Sequence, residues 1–111
     1  MGEILLRIVE GARVALYRHD PKRHAENIPT RYDLFKYEGG YGWGYSGSGA
    51  KSLSFALASK LSELERLSTE QLENRVRRIL EYVVDKLDSE REHTITVYAL
   101  RQLFTDENTP A

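Results

Sequence analysis

The feature that most constrains the fold of this chain is a glycine-rich segment, residues 39–49, which separates two different hydrophobic patterns. It holds six of the eight glycines, the single tryptophan and two of the seven tyrosines. Because glycine loses more conformational freedom on folding than other residues, such a run is kept where another group comes close or where φ is positive. The large rings between the glycines predict a packed loop and not a flexible linker.

Before this segment, apolar residues alternate with a period of two. Residues 3–9 and 13–18 show this pattern on either side of a short connection that contains Gly11, which predicts a β-hairpin. The polar stretch 19–30, which contains two prolines, predicts a surface loop. Alternating aromatic residues over 31–37 predict a third strand.

After Gly49, apolar residues recur every three or four positions. This spacing predicts a helix over about residues 50–64, with Ser48 as its N-cap. Ser68 and Gln71 form a capping-box pattern at the start of a longer helix. The inward face of that longer helix is predicted to carry Leu72, Val76, Ile79, Leu80, Val83 and Leu87.

The end of the chain predicts a short extended piece at 93–95 and a last helix capped by Thr96. Ile95 and Leu100 have the spacing of a hydrophobic staple around that cap. The inward side of the last helix is predicted to be Val97, Leu100, Leu103 and Phe104. Residues 105–111 are polar and are expected to form a frayed tail.

Strands come first in this order and helices second, which predicts an α+β fold. We expect a small antiparallel sheet, made of the N-terminal β-hairpin plus a third strand, packed against two to three helices. A length of 111 residues predicts one domain, over residues 1–104, followed by the tail.

Composition excludes several classes of protein. The net charge of −1 gives no basic excess for nucleic-acid binding. The absence of cysteine excludes disulfides and thiolate metal sites and suits a cytoplasmic protein. No apolar run approaches the roughly 20 residues of a membrane span, so no membrane association is expected.

The glycine-rich segment contains Gly42-x-Gly44-x-x-Gly47, the spacing of a dinucleotide-binding loop. The parallel strand–helix–strand units that such a loop needs are not predicted here. A phosphate-binding loop of nucleotide hydrolases is also disfavoured, because Ala50 separates Lys51 from the last glycine and no hydrophobic strand that ends in an acidic metal ligand is evident. No cofactor is therefore predicted.

A more general anion site remains compatible with the segment. The amides of Gly47, Ser48 and Gly49 are expected at a helix N-terminus, where several N–H donors are free. Gly44 gives the backbone room, and Lys51 adds a positive charge. Trp43 and Tyr45 are expected to supply a ring surface, which makes these seven residues the predicted ligand site. The alternative is that Ser48 only caps the helix and the rings close the end of the core.

Other chemistry-bearing residues favour structural interpretations. His19 and His24 are five positions apart, a spacing that suits neither one helix face nor one strand face, so no metal site is predicted. Ser48 stands where a nucleophile elbow needs its second glycine, and no catalytic residue is assigned. The neighbouring charges predict a small basic patch and exposed pairs four residues apart, which involve Glu73, Arg75, Arg77, Arg78 and Glu81.

Residues 43–50 together with Leu53 resemble the signature of an uncharacterised family of small phage and prokaryotic proteins, W-G-Y-x-G-S-G-P followed by L-A-x-x-[IL]-L. Ala50 stands where that family has proline, which is favoured at the start of a helix. The likeness covers residues 3–104 in layout and 43–57 in specific letters. It implies no established activity, but it implies a phage or mobile-element origin, hence the host cytoplasm as the location.

Two functions are therefore expected, neither of them enzymatic. The first is a binding domain that holds a nucleotide or another anionic small molecule at the glycine-rich segment. The second is a protein-interaction module, such as an inhibitor of a host defence complex, which can form homo-oligomers. An enzyme is the third alternative, which requires an acid and a base among Asp33, His19 and His93 to meet in the fold. Phage proteins of this size often act by binding, which is an argument from analogy.

Overall fold

The computed structural model describes residues 2–108 and has an α+β fold. The strands are β1 (Glu3–Val9), β2 (Ala12–Arg18), β3 (Glu26–Asn27) and β4 (His93–Thr96). The helices are α1 (Ser48–Leu61), α2 (Thr69–Tyr82) and α3 (Val97–Arg101), with 3₁₀ helices at Val84–Lys86 and Gln102–Asn108. The strands form one antiparallel sheet in the order β3-β2-β1-β4, which confirms the predicted fold class.

The N-terminal hairpin is confirmed by the pairing of β1 with β2 along their whole length. Its two-residue turn has positive φ at Glu10 (50°) and Gly11 (83°), the backbone that matches the twist of the flanking strands. The register places Leu6 opposite Ala15. Both side chains and Ile4 are fully buried, in the same core cluster as the inner residues of α1.

The third strand predicted over residues 31–37 is wrong. This stretch is a turn, in which the amides of Leu34 and Phe35 both donate to the carbonyl of Arg31 at 2.9 Å. The Arg31 guanidinium also binds both carboxylate oxygens of Asp33, at 3.0 and 2.8 Å. Aromatic alternation does not require that a strand pairs, and here the partly buried Phe35 stacks on Phe55 of α1 while Tyr32 is exposed.

The sheet takes its outer strands from segments that the sequence assigned to a loop and to a short extended piece. β3 lies inside the predicted loop 19–30 and pairs with β2, and the neighbouring Ile28 is buried. β4 includes the predicted piece 93–95 and pairs with β1. The first strand of the hairpin is therefore a central strand, which explains its apolar character.

Helix α1 begins and ends earlier than the predicted 50–64. The residue before its first turn is Gly47, in an extended conformation (φ −79°, ψ −168°), and no side chain caps the helix. Ser48 is therefore the first helical residue, and its predicted role as N-cap is wrong. Because the carbonyl of Gly47 accepts from the amide of Lys51 at 2.9 Å, the helix starts one residue earlier than it would with Ser48 as its N-cap.

The two predicted caps of the later helices are confirmed. Ser68 and Gln71 form the capping box: the Ser68 hydroxyl accepts from the Gln71 amide at 3.1 Å, and the Gln71 side chain accepts from the Ser68 amide at 2.8 Å. The Thr96 hydroxyl accepts from the Ala99 amide at 3.1 Å. Such caps depend on residues three positions apart, which explains why the sequence reports them well.

Helix α2 is shorter than its predicted face, because the chain turns into a 3₁₀ helix after Val83. Val76 and Ile79 are buried as predicted, while Leu80 and Leu87 are partly buried against the core. Residues 105–108, part of the predicted tail, continue the last 3₁₀ helix, whereas 109–111 lie outside the described residues.

Arg75 holds the two long helices and the C-terminal segment together. Its guanidinium donates to Ser62 Oγ at 2.7 Å, to both carboxylate oxygens of Glu65 at 2.9 and 3.0 Å, and to Glu107 at 3.0 Å. It also lies 4.7 Å from the centre of the Phe104 ring. A buried cation is tolerated because its donors are satisfied by opposite charges.

The predicted basic patch therefore does not exist as an exposed surface. Arg75 is buried, and Arg78 donates to the Leu103 carbonyl and to Asp106. Both side chains are used to attach the C-terminal 3₁₀ helix to α2, and of the three predicted patch residues Arg77 alone is exposed.

The ion pair between Glu65 and Arg75 predicts that part of the stability is lost in acid. The hydrogen bonds from Arg75 lower the pKa of Glu65 below its ordinary value of 4.5. The resulting stabilisation is present above pH 4.5 and is lost as the pH falls through the pKa of the folded chain. We expect Glu65→Gln to lower the free energy of unfolding at pH 7 by about 1–2 kcal/mol and to flatten its decline in acid, measured by urea unfolding.

Glu63→Gln is the matched control, because it removes a more exposed carboxylate of the same loop. An identical pH dependence in Glu65→Gln and the wild type would contradict this assignment.

Candidate functional site

Trp43 of the glycine-rich segment lies inside the core, with 0% of its surface exposed. Its indole N–H donates to the carbonyl of Arg91 at 2.9 Å. The ring of His93 packs edge-on against it at 6.1 Å, and the Arg13 guanidinium lies 5.5 Å from its centre. The ring surface that the sequence analysis assigned to a ligand is therefore covered by the chain itself.

Gly44 follows Trp43 and allows the segment 87–89 to come close. Its φ is +86°, and its amide donates to the carbonyl of Val84 at 2.8 Å. A Cβ at this position would lie 2.6 Å from Ser89 Cβ and 2.7 Å from the Leu87 carbonyl oxygen. Both the backbone conformation and the lack of space require glycine here.

The ring of Tyr45 lies against three further glycines. A Cβ on Gly42 would lie 2.1 Å from the Tyr45 hydroxyl oxygen, and one on Gly49 would lie 2.8 Å from it. A Cβ on Gly47 would lie 3.0 Å from the edge of the same ring. The group that approaches these glycines is thus the side chain of Tyr45, from the same segment. Tyr45 is 48% exposed.

Tyr41 ties the segment to the sheet edge. Its hydroxyl donates to the carbonyl of Ile28 at 2.8 Å. Burial raises the pKa of the Tyr41 phenol to about 12, so the group stays a neutral donor at physiological pH.

The structure divides the seven predicted site residues into three places. Tyr45, Gly47, Ser48 and Gly49 surround the start of α1, while Trp43 and Gly44 face the segment 84–91. The Lys51 ammonium lies 5.8 Å from the centre of the Phe35 ring, at the edge of a groove between α1 and α2.

This packing predicts unequal effects of two glycine substitutions. Gly40 has the same φ of +86° as Gly44, but a Cβ there would have nothing within 4 Å. We expect Gly40→Ala to cost about 1–2 kcal/mol of stability for the left-handed backbone. We expect Gly44→Ala to cost at least about 3 kcal/mol, because the clash with 87–89 is added.

Urea unfolding of both variants measures the difference. Equal losses of stability would mean that the segment 87–89 does not pack on Gly44 in solution.

The groove between α1 and α2, called the α1–α2 groove below, has an apolar floor. The rings of Phe35 and Phe55 stack with centres 5.5 Å apart and planes 4° from parallel. Val76 and Leu80 of α2 complete the floor of a depression of about 480 Å³. Phe35, Phe55 and Leu80 are only partly buried, so an apolar surface with two aromatic rings faces solvent.

Charged side chains border this floor. Lys51 stands on the α1 side, and Glu73, Arg77 and Glu81 follow one another along α2. Within residues 2–108 none of these four forms a salt bridge. The predicted pairs of Arg77 with Glu73 and Glu81 are therefore wrong, since Arg77 donates to Asn74 instead.

A family model matches residues 6–105 of the 111-residue chain. The chain belongs to the DUF6166 family, a family of unknown function. The matched stretch includes the glycine-rich segment and both helices of the α1–α2 groove, so both belong to the part of the chain that the family model covers. No curated protein and no solved structure matches the chain.

Two further observations concern the described part of this family member. Among residues 2–108, no three histidine or acidic side chains come together as a set of metal ligands. His19 instead lies 3.2 Å from the Tyr17 hydroxyl. Nor does any helix in this range have the length and apolar character that crossing a membrane requires.

Sequence reasoning missed the α1–α2 groove for a specific reason. Phe35 was assigned to a strand and Phe55 to a helix, and nothing in linear order indicates that their rings stack. The available signal was Phe55 itself, a large apolar residue that lies off the predicted inward face of α1 and that a ring from another segment can cover. Only the turn at 31–35 brings the two rings together.

Proposed function

We propose that this member of the DUF6166 family is a protein-binding domain and that the α1–α2 groove is its docking surface. The observation that carries the proposal is the stacked pair of Phe35 and Phe55 on an open apolar floor, bordered by charges that have no salt-bridge partner among residues 2–108. Aromatic anchors at the centre and charged residues at the rim are the usual composition of a protein interface.

The chemistry of the groove supports this function better than catalysis. Partly exposed apolar rings favour the removal of water by another apolar surface, because burying that surface is favourable. The rim charges then select among partners, since an unmatched charge buried at an interface is costly. Neither the floor nor the rim contains a paired acid and base.

Origin and location are part of the proposal. The likeness of residues 43–57 to small phage and prokaryotic proteins supports a phage or mobile-element origin. A chain without cysteine suits the host cytoplasm. The expected partners are then a host protein, such as a component of a defence complex, or another copy of the chain.

Photo-crosslinking in cells that produce the protein tests the docking surface. Phe35 is replaced by benzoylphenylalanine, an aromatic residue for an aromatic one, and irradiation is expected to give a covalent adduct with a second protein. The mass of the adduct identifies the partner. Tyr98, exposed on α3 and outside the groove, receives the same replacement as the matched control. No adduct from position 35 beyond the level at 98 would remove the groove as a docking surface.

The second candidate function is the binding of an anion at the start of α1. What supports it is that Ser48 is exposed, that no side chain caps the helix, and that Lys51 is one turn away. A ligand there has to share the site with the Tyr45 ring, which already covers Gly47 and Gly49.

Nuclear magnetic resonance titration with inorganic phosphate and with cyclic and linear nucleotides tests this candidate. We expect the amide signals of residues 47–50 to shift, and Lys51→Ala to weaken the affinity several-fold because one charge is lost. Lys22→Ala removes an exposed lysine elsewhere as the control. If those amides do not shift with any of these anions, this candidate is excluded.

A further inference from the structure

The occupant of the α1–α2 groove can be argued from the face that α2 presents to it. The α2 positions that line the groove are 73, 76, 77, 80 and 81. They follow the spacing i, i+3, i+4, i+7, i+8, which places them on one side of a helix. This is the spacing with which one helix packs against another, so the face suits a helical partner.

The charges along this face alternate in sign, so the face of one copy can pair with the same face of a second copy. Glu73, Arg77 and Glu81, the charge row below, read negative, positive, negative at intervals of four residues. Consider two antiparallel α2 helices whose two-fold axis crosses them at the level of residue 79. In this arrangement, Arg77 of each copy lies opposite Glu81 of the other. A two-fold axis repeats every contact, so one match of charges becomes two.

We infer that the partner in the α1–α2 groove is a second copy of this chain, docked through antiparallel α2 helices; this inference rests on the proposed function. Leu80 lies one residue from the axis, so the Leu80 side chains of the two copies meet at the centre of the interface. The stacked Phe35 and Phe55 rings of each copy flank them and cover more apolar surface.

The unpaired state of the charge row fits this arrangement. Within residues 2–108, the partly buried Lys60 and Arg78 have carboxylate partners and the buried Arg75 has two, while the exposed Lys22, Lys36 and Arg66 have none. Arg77 has Asn74 as its hydrogen-bond partner and no carboxylate. Docking a second copy supplies that carboxylate from outside, and an in-register parallel arrangement is disfavoured because it opposes like charges.

A charge exchange tests the inference by sedimentation velocity on the full chain over a concentration series. The wild type is expected to sediment as a species of twice the chain mass of 12.8 kDa. Arg77→Glu makes the charge row wholly acidic, and Glu73→Arg with Glu81→Arg makes it wholly basic. Each variant alone is expected to be monomeric, with a dissociation constant raised at least about tenfold. An equimolar mixture of the two is expected to regain the dimer.

Arg66→Glu is the matched control, since it makes the same charge change at an exposed position outside the groove, and it should dimerise like the wild type. A wild type that stays monomeric at every concentration, or Arg77→Glu that dimerises as tightly as the wild type, overturns the inference. A monomer that still forms an adduct from position 35 with a different protein retains the docking surface and excludes the second copy. A monomer without any such adduct removes both.

Discussion

The burial of Trp43 is the interaction on which the rest of the structure depends. The indole reaches the core only because Gly44 lets the segment 87–89 pass within contact distance. Its N–H is then satisfied by the carbonyl of Arg91, so that no buried donor is left unpaired. This one side chain joins the glycine-rich segment to the residues just before β4. Because β4 pairs with β1, the contact also ties the segment to the centre of the sheet.

A second fixed point lies at the other end of the helix pair. Arg75 connects the end of α1, the body of α2 and the C-terminal 3₁₀ helix through Glu65 and Glu107. The α1–α2 groove runs between the same two helices and is open to solvent, and the rings of Phe35 and Phe55 stack on its floor.

The glycine-rich segment combines two roles that its sequence does not separate. Glycines at 42, 47 and 49 make room for Tyr45, and the glycine at 44 makes room for another part of the backbone. Of these four positions, Gly44 is the one where a positive φ and nearby backbone atoms together require glycine. At the start of α1, Gly47, Ser48 and Lys51 are exposed, whereas Gly49 and Ala50 are buried.

The sequence by itself determined what depends on neighbouring residues: the alternation of the hairpin, the capping box at Ser68 and Gln71, the Thr96 cap and the α+β class. The tertiary structure decided which segments became the outer strands, what approaches each glycine, why Arg75 is buried and that Phe35 meets Phe55. The physical reason is range. Caps and alternation are contacts between residues a few positions apart, whereas burial of Trp43 joins residues 48 positions apart, and no local pattern encodes such a pairing.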